Sequence, residues 1–109
     1  MTFEVLNVIN VTMELKKKEE IVLDIREEVI KIIRKNIENS ELMNLQITDD
    51  TLLLEDLLFD SITFIQLIVD LEDKFCIEID DFDIVSYDKF IDLFHHIYNL
   101  VEEKKLHER

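Results

Sequence analysis

Leu57-Leu58-Phe59-Asp60-Ser61-Ile62-Thr63-Phe64 is the stretch that decides how this chain folds. Asp60 and Ser61 both carry short oxygen-bearing side chains of the kind that cap helices, accepting the unpaired N–H groups of a first turn. No breaker follows them, so a helix is predicted from Ser61 to about Lys74. Within it Thr63, Gln66, Asp70 and Asp73 recur at steps of three and four, forming one polar stripe on an otherwise apolar helix. Ser61 therefore stands at the exposed start of a buried helix, held in place by a rigid element.

Working upstream, residues 39–59 form a long connection pinned by apolar residues at Leu42, Leu45, Ile47, Leu52, Leu53, Leu54, Leu57 and Leu58. A connection of that length is expected to be functional or internally packed. Thr48-Asp49-Asp50-Thr51 supplies turn chemistry where glycine is lacking. Before it, Ile21, Ile25, Val29, Ile32, Ile33 and Ile37 recur at helical spacing and predict a first helix from about Glu19 to Ile37. Glu27, Glu28, Lys31, Arg34 and Lys35 are expected on its solvent side, with acids ahead of bases at supportive spacing. Residues 1–19 alternate weakly (Phe3, Val5, Val8, Ile9, Val11) and then meet Lys16-Lys17-Lys18. They read as a strand-like arm, a frayed extension or a helix start, poorly ordered unless a partner holds them. Met13 is a plausible alternative start of translation.

Downstream, Cys76-Ile77-Glu78-Ile79 is expected to be extended, with Cys76 a small packing residue. Asp80 to Val85 offers one helical turn pinned by Phe82, Ile84 and Val85. The last helix is predicted from about Asp88 to Lys104, with Phe90, Phe94, Ile97 and Val101 on one stripe and Ile91 and Tyr98 beside it. Residues 105–109 are a charged tail expected to fray.

Composition narrows the function. With no Gly and no Pro, the chain is not a turn-rich β protein and has no flexible linker. Twelve basic against twenty-six acidic residues leave a formal net charge of −14, which argues against nucleic acid and anionic membranes as partners. A basic protein surface is the natural complement, and acidity also serves plain solubility. One cysteine admits no internal disulfide and fits a cytoplasmic protein. No segment has the pattern of a membrane span or a signal peptide. Asp80, Asp81 and Asp83 lack the spacing and glycine of an EF-hand loop. His95 and His96, being adjacent, point about 100° apart and do not converge on one metal. No metal site is expected.

Three readings of Ser61 follow. It is a capping residue, a nucleophile, or a hydroxyl presented for covalent modification. A nucleophile needs a base in reach and an oxyanion hole; the chain has no glycine for a nucleophile elbow, and all its histidines lie far downstream. The neighbours favour modification. Leu54-x-x-Leu57-x-x-Asp60-Ser61-Ile62, followed by Leu71-Glu72-x-x-Phe75-x-Ile77-x-Ile79, resembles the phosphopantetheine-attachment region of acyl and peptidyl carrier proteins, over roughly residues 20 to 103. Two departures are visible. The glycine usual three residues before the serine is Leu58, and the one often following the helix is Cys76.

The resemblance implies an all-α four-helix bundle with a long loop between its first two helices and a short third helix, residues 20–104 being the carrier domain. It implies that Ser61 takes a 4′-phosphopantetheine arm from coenzyme A, added by a separate phosphopantetheinyl transferase, while Asp60 supports the site. The arm's thiol would hold acyl, aminoacyl or peptidyl intermediates as thioesters. The protein itself would be non-catalytic and monomeric. Loading and downstream biosynthetic enzymes with basic surfaces would dock on Ile62, Gln66, Val69, Asp70 and Asp73. Fatty-acid carriers usually have acids where this chain has Thr63 and Gln66, so the resemblance points to a polyketide, nonribosomal peptide or related specialised pathway. Fatty-acid synthesis, D-alanine transfer and a never-modified helical adaptor are the alternatives.

Overall fold

Among the described residues the chain forms the helices α1 (Phe3–Lys35), α2 (Ser61–Phe75), α3 (Asp81–Ile84) and α4 (Phe90–His107), with a 3₁₀ turn at Ser40–Leu42. The computed structural model describes the backbone of residues 3–84 and 86–107, and the side chains of residues 17–106 except those of Phe82 and Val85. This is the bundle expected from the sequence, with its long first connection and one-turn third helix.

α1 begins at Phe3 rather than near Glu19. With no Gly or Pro to interrupt it, the backbone stays helical through the segment whose weak alternation also fitted a strand. At about 1.5 Å per residue the helix is roughly 50 Å long. Residues 17–20 are exposed, and the first buried side chain among the described residues is Ile25. The expected apolar positions Phe3, Val5, Val8, Ile9 and Val11, and the pins at Phe82 and Val85, lie outside the described side chains. α4 runs on through Lys105 and Leu106 to His107, past the expected boundary of a frayed tail.

The core joins Ile25, Val29, Ile32, Ile33 and Ile37 to Phe64, Leu67, Ile68 and Leu71 of α2 and Phe90, Leu93, Phe94 and Ile97 of α4. Burying each such side chain stabilises by about 1.5–3 kcal/mol before the entropy cost of ordering it. The long connection contributes Ile47, Leu53, Leu57 and Phe59 to the same cluster, so it belongs to the core.

Polar contacts then fix that connection at both ends. Arg34, expected in solvent, is half-buried and donates to the carbonyls of Met43 and Leu45, each at 3.0 Å. Arg26 pairs with Asp49 at 2.6 Å, while its guanidinium lies 4.9 Å from the Phe90 ring centre and 5.7 Å from that of Phe94. Leu52 and Lys89 form an antiparallel bridge; the Leu53 N–H donates to Asp88 and the Phe90 N–H to Thr51. The turn at Thr48-Asp49-Asp50-Thr51 forms as predicted, closed by Thr51 Oγ1 accepting from the Thr48 N–H at 2.8 Å. The chain thus reaches Ser61 through a pinned loop.

Candidate functional site

The loop delivers α2 with a definite cap. Asp60 has extended backbone, and its carboxylate accepts the Thr63 N–H at 2.7 Å. That hydrogen bond holds the Asp60 carboxyl below its ordinary range. Ser61 is therefore not the cap. It is the first helical residue, exposed, with its hydroxyl left over from capping. The first turn itself carries no acidic residue, so the Asp60 carboxylate is the anion that faces the positive end of the helix.

The loop's last turn is unusual. Leu58, three residues before Ser61, has φ +54°, and Cys76, which closes α2, has φ +52°. Both are left-handed positions that suit glycine, and they are the same two positions at which the sequence departs from the carrier pattern. The backbone keeps the shape and the side chains bear the steric cost. Cys76 is thus an exposed helix terminator instead of a packing residue: its N–H and that of Ile77 both reach the Glu72 carbonyl. The Glu72 side chain in turn accepts the Ile79 N–H at 2.9 Å, tying the following extended segment back to α2.

Two cavities flank the Leu57–Asp60 loop. One, of about 540 Å³, opens beside Ser61 and is lined by Leu54, Phe59, Asp60, Phe64, Ile65, Ile84 and Tyr87. Apart from Asp60, Ser61 and the Tyr87 hydroxyl, its walls are apolar. The other, of about 330 Å³, lies between the end of α1 and the start of α2 and is lined in part by Asn36, Glu38, Asn39 and Thr63. Phe59 and Asp60 border both.

Of the residues expected to meet partners, Ile62 is 79% exposed and Val69 is exposed too. Ile65 is also exposed, and Leu54 and Leu58, expected as apolar pins of the loop, stand exposed beside the site instead of being buried under it. Ile65 stands three residues after Ile62 and four before Val69, so helical spacing alone would have placed it on their face. Asp73 is exposed; Gln66 and Asp70 are otherwise occupied. Gln66 donates to Asp70 Oδ1 at 2.9 Å, Asn36 donates to Asp70 Oδ2 at 3.0 Å, and the Lys35 ammonium stands 3.8 Å away. The Asn36 hydrogen bond, then that of Gln66 and the charge of Lys35, hold the Asp70 carboxyl low against its partial burial. Asp70 is an α1–α2 tie, not a free charge.

Among the described residues no cluster of His, Cys, Asp and Glu fits a metal, and no helix is long and apolar enough to cross a membrane.

The chain matches no family model, and no curated protein matches it. Its structure is similar to the crystal structure of an acyl carrier protein from Thermotoga maritima. The two share 25% sequence identity and a TM-score of 0.59, over 72% of this chain and 92% of the other.

Proposed function

We propose that this chain is a carrier protein whose Ser61 hydroxyl bears a 4′-phosphopantetheine arm. The observation that carries the reading is the division of labour at the helix start: Asp60 caps, and Ser61 stays exposed with a free hydroxyl. The fold shared with an acyl carrier protein supports a carrier role in general.

In the attachment step the Ser61 oxygen forms a bond to the pantetheine-side phosphorus of coenzyme A. The pyrophosphate P–O bond breaks, the nucleotide leaves as the bisphosphate, and the hydroxyl proton passes to a base of the transferase. A phosphodiester on Ser61 would stand at the start of α2, beside the Asp60 carboxylate that already accepts the Thr63 N–H. Once attached, the arm supplies a thiol that holds cargo as a thioester. The protein supplies position and recognition. Tethering also raises the cargo's concentration at each partner site.

Partners dock on the strip formed by Ile62, Ile65 and Val69, with Asp73 at its border and Gln66 and Asp70 bracing the helix beneath. A basic enzyme surface complements the net charge of −14, which also keeps the chain monomeric. The carrier unit is residues 20–104, with 1–19 an extension and 105–109 a charged tail. Cytoplasmic location suits its single, exposed thiol. Thr63 and Gln66, where acids are usual in fatty-acid carriers, favour a specialised polyketide or peptide pathway.

The test is incubation with coenzyme A and a broad-specificity phosphopantetheinyl transferase, read by intact mass. A gain of one phosphopantetheinyl group, absent in Ser61→Ala, is expected. No gain under conditions that fully convert a control carrier would make the chain an unmodified adaptor.

A further inference from the structure

Leu58 stands between the two residues that anchor the last turn of the loop. Leu57 and Phe59 are buried in the core cluster, whereas Leu58 takes no part in it and is 63% exposed. It lines the smaller cavity, where Asn36, Glu38, Asn39 and Asp60 give a leucine little apolar cover. Its backbone is left-handed, φ +54°, a conformation that every side chain with a Cβ resists. An exposed leucine is ordinary by itself. Here it is held on unfavourable backbone, three residues before Ser61, where neither packing nor local conformation calls for it. Strain kept without a folding return points to function.

We propose that Leu58 is a recognition residue for the phosphopantetheinyl transferase, its side chain entering an apolar recess in a basic enzyme surface. The inference rests on the carrier reading of Ser61 and names a residue by which the attaching enzyme recognises that serine.

Reach places Leu58 under the enzyme. Three residues of chain span at most about 11 Å. The transferase has to close on the Ser61 oxygen itself, and an ordinary interface covers about 800 Å² on each partner, a disc roughly 16 Å in radius. Leu58 falls inside that disc. Enzymes that act later meet the cargo at the far end of the arm, so Leu58 bears first on attachment.

Charge does not mark this spot. Residues 36–73 contain no Lys or Arg, so a field of one sign draws a basic enzyme in without showing it where to close. A projecting apolar side chain does show it, because covering an exposed leucine on docking is favourable. The restricted backbone adds to this: it holds the side chain in place beforehand, and less freedom is lost on contact than a glycine would lose.

Cys76 is an internal control. It too has left-handed backbone, φ +52°, but it follows the other end of α2, about 22 Å along the helix axis from Ser61 and outside the disc.

The experiment measures initial rates of attachment by intact mass, with coenzyme A saturating, a broad-specificity transferase and varied concentrations of the full chain. Leu58→Asn tolerates left-handed backbone but loses the apolar group; it is expected to raise KM about tenfold with kcat unchanged, the loss of one leucine-sized contact. Leu58→Gly should do the same. Leu58→Met, which restores an apolar side chain of similar volume, should keep the wild-type KM, as should Cys76→Gly. Wild-type KM in Leu58→Asn overturns the proposal, even if Leu58→Gly is impaired, because the backbone and not the side chain would then be at work. An equal rise in Cys76→Gly overturns it too. Each of these results leaves attachment at Ser61 standing. A wild-type chain that gains no mass while a control carrier is converted overturns the carrier reading and this inference with it.

Discussion

The Asn36 amide donates to the Asp70 carboxylate at 3.0 Å, joining the turn that ends α1 to the middle of α2. The same amide donates to the Ile32 carbonyl at 2.9 Å, so one side chain both terminates a helix and fastens it to its neighbour. Glu28 repeats the arrangement toward the other end of the pair, with Lys31 at 3.4 Å and Lys74 of α2 at 3.5 Å. These ties orient the helix that carries Ser61.

Asp70→Asn should destabilise the fold by about 1 kcal/mol, the usual net worth of one intramolecular hydrogen bond. The sign of its pH dependence follows from the depressed carboxyl. The stabilisation is present above the ordinary carboxylate range and is lost as pH falls through the lower folded value. The difference in urea midpoint between wild type and Asp70→Asn should therefore be full at neutral pH and shrink on acidification below about pH 4. A difference that grows on acidification contradicts this assignment.

Leu58 and Cys76 bear the cost of left-handed backbone. A non-glycine residue there loses about 1–2 kcal/mol, whereas glycine forfeits about 0.5–1 kcal/mol in chain entropy. Leu58 is 63% exposed and Cys76 is exposed, so truncating either removes little packing. Leu58→Gly and Cys76→Gly should each stabilise by roughly 0.5–1 kcal/mol, raising the urea midpoint without changing its slope. A lowered midpoint for both would show that the side chains, not the backbone, set these turns.

Ile65 should matter to partners and not to folding. It is more than half exposed between Ile62 and Val69. Ile65→Glu should leave the thermal midpoint nearly unchanged while weakening modification by the transferase about tenfold in kcat/KM, the loss expected for one apolar contact in a docking strip. Unchanged kinetics would remove Ile65 from the docking surface.

Much of this was legible in the sequence for a physical reason. α2 declares itself because its polar stripe repeats every three or four residues and an aspartate precedes it. The core positions Val29, Ile33, Leu67, Leu71, Phe90 and Ile97 all fall on such stripes. Periodicity could not reveal which of Asp60 and Ser61 caps, since both side chains suit the role and only geometry separates N-cap from first residue. Nor could it show that Arg26 and Arg34 leave the solvent to bind a loop, because spacing says which face a residue is on and not how far a long side chain reaches. The start of α1 escaped for a related reason: β-branched residues in weak alternation fit strand and helix alike. Tyr87, His96 and Asp83 come together from three segments, and no local pattern announces such a meeting.

The most direct measurement of the central claim is fragment mapping of the chain after treatment with coenzyme A and a transferase. One phosphopantetheinyl adduct, confined to the peptide fragments containing Ser61 and absent from the Ser61→Ala protein treated in parallel, is the predicted result. An adduct on any other residue, or none while a control carrier is fully converted, would contradict it.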